Sequence, residues 1–222
     1  MPRFGPGLEE MIDFSHLPVH TDLRKDNICA NEDDRANADD VFDGEGSRDY
    51  YNEIWRLHMT HGQKLWYKSI EPELLESSLR KLSETAQVTN IVCLGLGSLP
   101  YGEFSTIQHI VVSDMAQELA AMYKTTGRPL ERPITIIAQD LCYTPADEAQ
   151  RAALPTSIHV VWDLEGFIAI NSGTLVMSCY PSVPVKQIVA HLAMDSTDGI
   201  GLAAMLRNDS NGDDLGDVDT VT

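Results

Sequence analysis

Val88-Thr89-Asn90-Ile91-Val92-Cys93-Leu94-Gly95-Leu96-Gly97-Ser98 decides the fold. Apolar, mostly β-branched residues run without alternation into a glycine turn, and a helix-compatible segment follows. A strand buried on both faces reads as such a run, and both faces are buried when helices cover a parallel sheet. The glycines permit a tight turn and let a ligand or the next helix approach bare backbone. The stretch therefore predicts the first strand and loop of a Rossmann-like sheet.

Working outward, strands and helices alternate. After the loop, Phe104, Ile107, Ile110, Val111, Met115, Leu119 and Met122 lie at helical spacing, and Gly127 is placed to cap the end. Ile134–Ala138, Ser157–Val161 and Gly173–Ser178 read as three further strands, and Ile200–Leu206 as a last one. Between them fall a short helix opened by Thr144 and Pro145, a turn of helix from Asp163, and a helix from Val185. The expected architecture is an α/β, Rossmann-like three-layer sandwich with a mostly parallel sheet.

Upstream, Tyr51, Ile54, Trp55, His58 and Met59 define an amphipathic helix that His61-Gly62 is expected to end. A further helix has Pro72 in its first turn, with Leu74, Leu75, Leu79 and Leu82 as its buried stripe. Gly44-Glu45-Gly46-Ser47 reads as a linker. The expected organisation is an acidic disordered tail at 1–48, a docking helix at 49–68, the α/β domain at 69–207 and a second acidic disordered tail at 208–222.

The net charge of −18 is concentrated at the ends: residues 1–49 carry −8 and residues 208–222 carry −5. Segments this polar bury too little apolar surface to offset chain entropy. Without a Lys/Arg cluster, nucleic acid is not an expected partner. No apolar run reaches the length of a membrane span, and Met1-Pro2-Arg3-Phe4-Gly5-Pro6 lacks a signal-peptide core, so the expected location is cytoplasmic or nuclear. Cys29, Cys93, Cys142 and Cys179 show no Cys-x-x-Cys spacing, which predicts neither a disulfide framework nor a zinc site.

Several segments are similar to the Sensitivity-to-Red-light-Reduced-like (SRR-like) domain family. Cys93-Leu94-Gly95-Leu96-Gly97-Ser98 resembles its Cys-x-Gly-x-Gly-Ser/Asn segment, and Gln108 resembles a Gln in the following helix. Asp140 matches the Asp of its Asp-Pro segment. Glu165-Gly166 resembles its Glu-Gly, Thr174-Leu175-Val176-Met177 its Thr-Leu-Phe-x-Met strand, and Trp66-Tyr67 an aromatic position ahead of the domain. Two positions depart from the pattern. Leu141 replaces the Pro, and Ser178-Cys179-Tyr180-Pro181 stands where the family has Pro-His-Cys, so the His is missing. The resemblance implies a divergent member of a regulatory family. That family is associated in plants with light signalling and the circadian clock, and elsewhere with haem metabolism or cytoskeletal behaviour, and no settled reaction comes with it.

The candidate ligand-binding residues are Gly95, Gly97, Ser98, Asp140, Glu165 and Cys179, all at carboxyl ends of expected strands, where α/β sheets bind ligands. The loop amides suit a phosphate or carboxylate, yet a dinucleotide fingerprint fails because Pro100 occupies its last position. Asp140 is placed to accept from ribose hydroxyls or to serve a turn. Asp140, Asp163 and Glu165 form an expected acidic rim open to a cation, with Asp163 also a natural helix cap. Cys179 has no evident general base, and the pairs His58/His61 and His16/His20 lack further ligands. Cofactor and catalytic residues stay unassigned, and haem has no support in the sequence. Three readings follow: a regulatory protein sensing a small ligand at the glycine loop, a nucleotide- or S-adenosylmethionine-dependent transferase, and a degenerate scaffold for a protein partner. The enzyme reading is the weakest, because no catalytic residue stands out.

Overall fold

The computed structural model describes residues 12–13, 45–99, 103–144, 147, 150–152, 154–162, 164–179, 183–195 and 202–207. In chain order the elements are β1 (Ile12–Asp13), α1 (Glu45–Lys68), α2 (Glu71–Thr85), β2 (Asn90–Leu94), α3 (Glu103–Thr125), β3 (Thr135–Gln139), β4 (Ile158–Val160), α4 (Glu165–Ile168), β5 (Thr174–Ser178), α5 (Val185–Asp195) and β6 (Ala204–Arg207).

The strands form one sheet in the order β1-β6-β5-β2-β3-β4, and every pairing is parallel. β2 lies between β3 and β5, with Val92 level with Ile137 on one side and Val176 on the other. From β4 to β6 this is the Rossmann order, with the topological switch between β2 and β5. Alternate side chains of β2 serve opposite faces. Ile91 and Cys93 join the core under α1, α2 and α3, while Val92 and Leu94 pack with Phe167 of α4 and with Val185 and Val189 of α5. The uninterrupted apolar run reflects this double burial.

Three local expectations are corrected. First, α1 is one helix through His61 and Gly62. Gly62 is a packing residue: a Cβ there would stand 3.1 Å from Cγ1 of Ile107 on α3. Met59, Gly62 and Trp66 form the buried stripe, with Trp55 half-buried above them. Asp114 of α3 accepts from Nε1 of Trp66 at 2.8 Å and from the Tyr67 hydroxyl at 2.9 Å. Second, the helix begins at Glu45, so Glu45-Gly46-Ser47 belong to it and not to a linker. Third, Leu74 of α2 is exposed, and only Leu75, Leu79 and Leu82 of its expected stripe are buried. Pro72 does lie in its first turn.

Part of the first tail also has a place: Ile12 and Asp13 pair with Leu206 and Arg207 of β6. The rest of 1–44, including His16 and His20, and all of 208–222 lie outside the described residues. Gly127 closes α3 with φ +72°, and Arg128 returns its amide to the Tyr123 carbonyl at 2.8 Å. The Tyr123 hydroxyl accepts from the Val88 amide and donates to the Ala86 carbonyl, which fixes how the chain enters β2.

Candidate functional site

The glycine loop leaves β2 at the carboxyl edge of the sheet, beside the switch point. Gly95 and Gly97 both adopt positive φ, 81° and 74°, a region costly for any residue with a Cβ. Gly97 also rests on α3, since a Cβ would stand 3.4 Å from Oγ of Ser105. The turn therefore needs both glycines for backbone reasons alone.

Three loop amides, those of Gly95, Gly97 and Leu99, are occupied from within the chain. Gly95 donates to the Gln139 carbonyl at 3.2 Å. Gly97 donates to Oδ2 of Asp140 at 2.7 Å, and Oδ1 of Asp140 accepts from the Cys142 amide at 2.8 Å. Leu99 donates to Oδ1 of Asp147 at 2.6 Å. Asp147 is 0% exposed and also accepts from the Ser98 hydroxyl and from both the amide and hydroxyl of Thr144. Thr144 and Asp147 thus close the turn after β3, with the Asp147 amide returned to the Thr144 carbonyl. Of the short helix expected over 145–154, Asp147, Gln150 and Arg151 are described and helical. Asp147 was not singled out in the sequence; the threonine three residues ahead of an acid is the signal, a variant of the capping box.

These contacts redefine several candidates. Gly97 and Asp140 do come together, but on each other. Ser98 is buried against Asp147 and does not face the crevice. Glu165 is exposed and its Oε2 accepts from the Trp162 amide, a turn at the start of α4. That helix has Leu164 at its N-cap with no side-chain cap bond; Asp163, expected there, lies outside the described residues. Gly166 donates to Oε1 of Gln139 at 2.9 Å, and a Cβ on it would fall 2.6 Å from that oxygen. The Glu-Gly pair thus serves the docking of α4 onto β3, through a glutamine that sequence reading also passed over. Among the described residues no three His, Cys, Asp or Glu side chains gather as metal ligands; Asp163 of the expected acidic rim lies outside them.

Cys179 follows β5 and returns its amide to Leu94 at 3.0 Å. Burial, and then the charge of Asp140, push its thiol up to about 12, so it stays protonated at neutral pH and is a poor nucleophile. Cys93 beneath it is raised well above the usual thiol range by burial first. Cys142 is disulfide-bonded, against the expectation from the cysteine spacing of no disulfide framework. The residue stands beyond the end of β3, outside the strand core that shelters Cys93.

Behind the loop, His109 is fully buried on α3. Its Nδ1 lies 2.6 Å from the Ser105 carbonyl, which can only accept, so Nδ1 carries the proton and Nε2 accepts from the Tyr143 hydroxyl at 2.8 Å. Burial lowers His109 to about 4 and raises Tyr143, so both are neutral at physiological pH.

Along the same carboxyl edge, Leu141, Trp162, Leu164 and Ile168 are 60% to 79% exposed. The β3–β4 register sets the loop after Gln139 beside that after Val161, and Gly166 ties α4 to the end of β3. One side of the crevice therefore carries an apolar platform with Glu165 within it.

No curated protein and no solved structure matches the chain. The family model of the SRR1 domain matches residues 73–216, from within α2 through β6. The chain belongs to the SRR1 domain family.

Proposed function

We propose that this chain is a regulatory protein that acts through protein contact at the carboxyl edge of its sheet. The carrying observation is the internal use of the glycine loop: Gly97 and Leu99 give their amides to Asp140 and Asp147. A phosphate placed there meets occupied donors and two carboxylates, the reverse of what a helix N-terminus offers a nucleotide. The apolar platform of Leu141, Trp162, Leu164 and Ile168 supplies contact area, and Glu165 with the net charge of −18 favours a partner segment that is apolar and basic. Ligand sensing is the second reading, favoured by the position of the loop at the switch point.

A stability panel on the full chain separates the two, using S-adenosylmethionine, NAD, ATP and haem. Contact regulation expects no shift with any of them, whereas a ligand at about 100 times its dissociation constant adds about 2.7 kcal/mol. A shift that Gly97→Val abolishes overturns the contact reading in favour of sensing. The companion measurement is crosslinking in cells: Trp162→Glu with Ile168→Glu is expected to lose partners that the native chain retains, and an unchanged pattern counts against the platform.

A further inference from the structure

At the end of the strand order away from β1 stands β4. Among the described residues β4 pairs with β3 alone, through Ile158, His159 and Val160. Val161 donates its amide to the Ala138 carbonyl, which fixes the parity of the ladder. His159 and Val161 turn their backbone polar groups toward β3, and Ile158 and Val160 turn theirs outward. On that outward side lies a hollow of about 380 Å³, lined by Arg151, Ala152, Ser157, Ile158, His159 and Val160.

Arg151 is held in this hollow in one orientation. Its NH1 donates to the outward carbonyl of Ile158 at 3.0 Å, and the guanidinium carbon stands 5.8 Å from the centroid of the Tyr143 ring. Tyr143 is itself fixed by His109. Nε is enclosed without a partner, whereas NH2 is not enclosed and makes no hydrogen bond among the described residues. Asp147, one helical turn earlier, has both carboxylate oxygens engaged by Ser98, Leu99 and Thr144. Among the described residues the ion pair is that of Arg80 with Glu76, far along the chain on α2. A pre-oriented guanidinium without a carboxylate, in a concave site beside outward backbone amides, is a receptor for a planar or tetrahedral anion. The hollow, about 380 Å³, leaves room for a small molecule around the anionic group.

We propose that the β4 edge is a binding site for a small molecule bearing a carboxylate or phosphate. Its anionic group meets NH2 of Arg151, and the Ser157 hydroxyl and the outward amides of Ile158 and Val160 complete the polar lining. The site stands apart from the carboxyl-edge platform and does not depend on the contact reading.

The test is calorimetric titration of the full chain with inorganic phosphate and, separately, with citrate, at ionic strength matched by sodium chloride. The expected result is a saturable isotherm for one of the two, and the arm that binds says which anion the hollow prefers. Arg151→Gln should weaken that binding at least tenfold. Because Arg151 also supports Ile158 and Tyr143, Ser157→Asp serves as the second variant. Ser157 is exposed and lines the same hollow, so the new carboxylate places negative charge in the site while leaving the Arg151 side chain present. It too should cost at least tenfold. No saturable binding of either probe, or binding that Ser157→Asp leaves unchanged, overturns the site.

Discussion

Leu99 gives its backbone amide to Oδ1 of Asp147 at 2.6 Å, across 48 residues of chain. This bond, with the Ser98 hydroxyl and Thr144 on the same carboxylate, fastens the glycine loop to the turn after β3. Asp147→Ala leaves the buried donors of Ser98 and Leu99 and those of Thr144 without acceptors. The expected loss is about 3–5 kcal/mol in urea unfolding, and Asp147→Asn, which keeps one acceptor oxygen, should lose about half of that. Equal stability in both variants would show that the loop holds itself.

Gly97 and Gly127 share a positive φ but not their surroundings. Around Gly127 a Cβ meets nothing within 4 Å, whereas at Gly97 it meets Ser105. Gly127→Ala should therefore cost about 1–2 kcal/mol, from backbone strain alone. Gly97→Ala should cost more, because Ser105 must also yield and the amide of Gly97 is bonded to Asp140. Thermal unfolding of the pair checks the order, and a Gly127 variant less stable than the Gly97 variant contradicts it.

Gly62 offers a case where two effects oppose each other. Alanine in a helix interior is favoured over glycine by about 1 kcal/mol. Against this, the new methyl stands 3.1 Å from the Ile107 side chain and 3.4 Å from that of Ile110. Gly62→Ala should stay within about 1 kcal/mol of the native chain. Gly62→Leu should cost about 2 kcal/mol or more by forcing α1 off α3. A harmless leucine would mean that the two helices are not in close contact at this point.

His109 gives the chain a proton-linked stability. Its folded pKa of about 4 lies below the ordinary 6.5, so between these values the unfolded chain binds a proton that the folded chain does not. Stability is fully present above about pH 6.5 and is lost as pH falls toward 4, by about 3 kcal/mol in total. His109→Gln removes this component, so its unfolding free energy should change less between pH 7 and pH 4.5 than that of the native chain. Identical pH slopes would show that the imidazole is solvated.

The sheet was legible because its strands are apolar on both faces: Ile91 and Val92 look alike in sequence although they serve different layers. Gly97 and Asp140 were legible as neighbours, being at the ends of adjacent strands, but their bond to each other was not. A carboxylate aimed at a ligand and one aimed at a backbone amide leave the same letter. Gly62 was misread because a helix-ending glycine and a helix-packing glycine differ only in what lies opposite, here Ile107, 45 positions later in the chain. Asp147 was missed because its partners Ser98 and Leu99 are distant in sequence. Its one local signal, Thr144, was read as a cap for the helix and not as a donor to the acid.

The central place of β2 has a consequence for synthesis. Its hydrogen-bonding partners arrive late, and Asn90 closes onto Thr174 only after a separation of 84 residues. At about 5–20 residues per second a ribosome needs roughly 4–17 s to supply them. Through that interval Ile91, Val92, Cys93 and Leu94 stand as an apolar strand with an unfilled flank. The nascent chain is then most exposed to mispairing, and a holding chaperone would find its first handhold there.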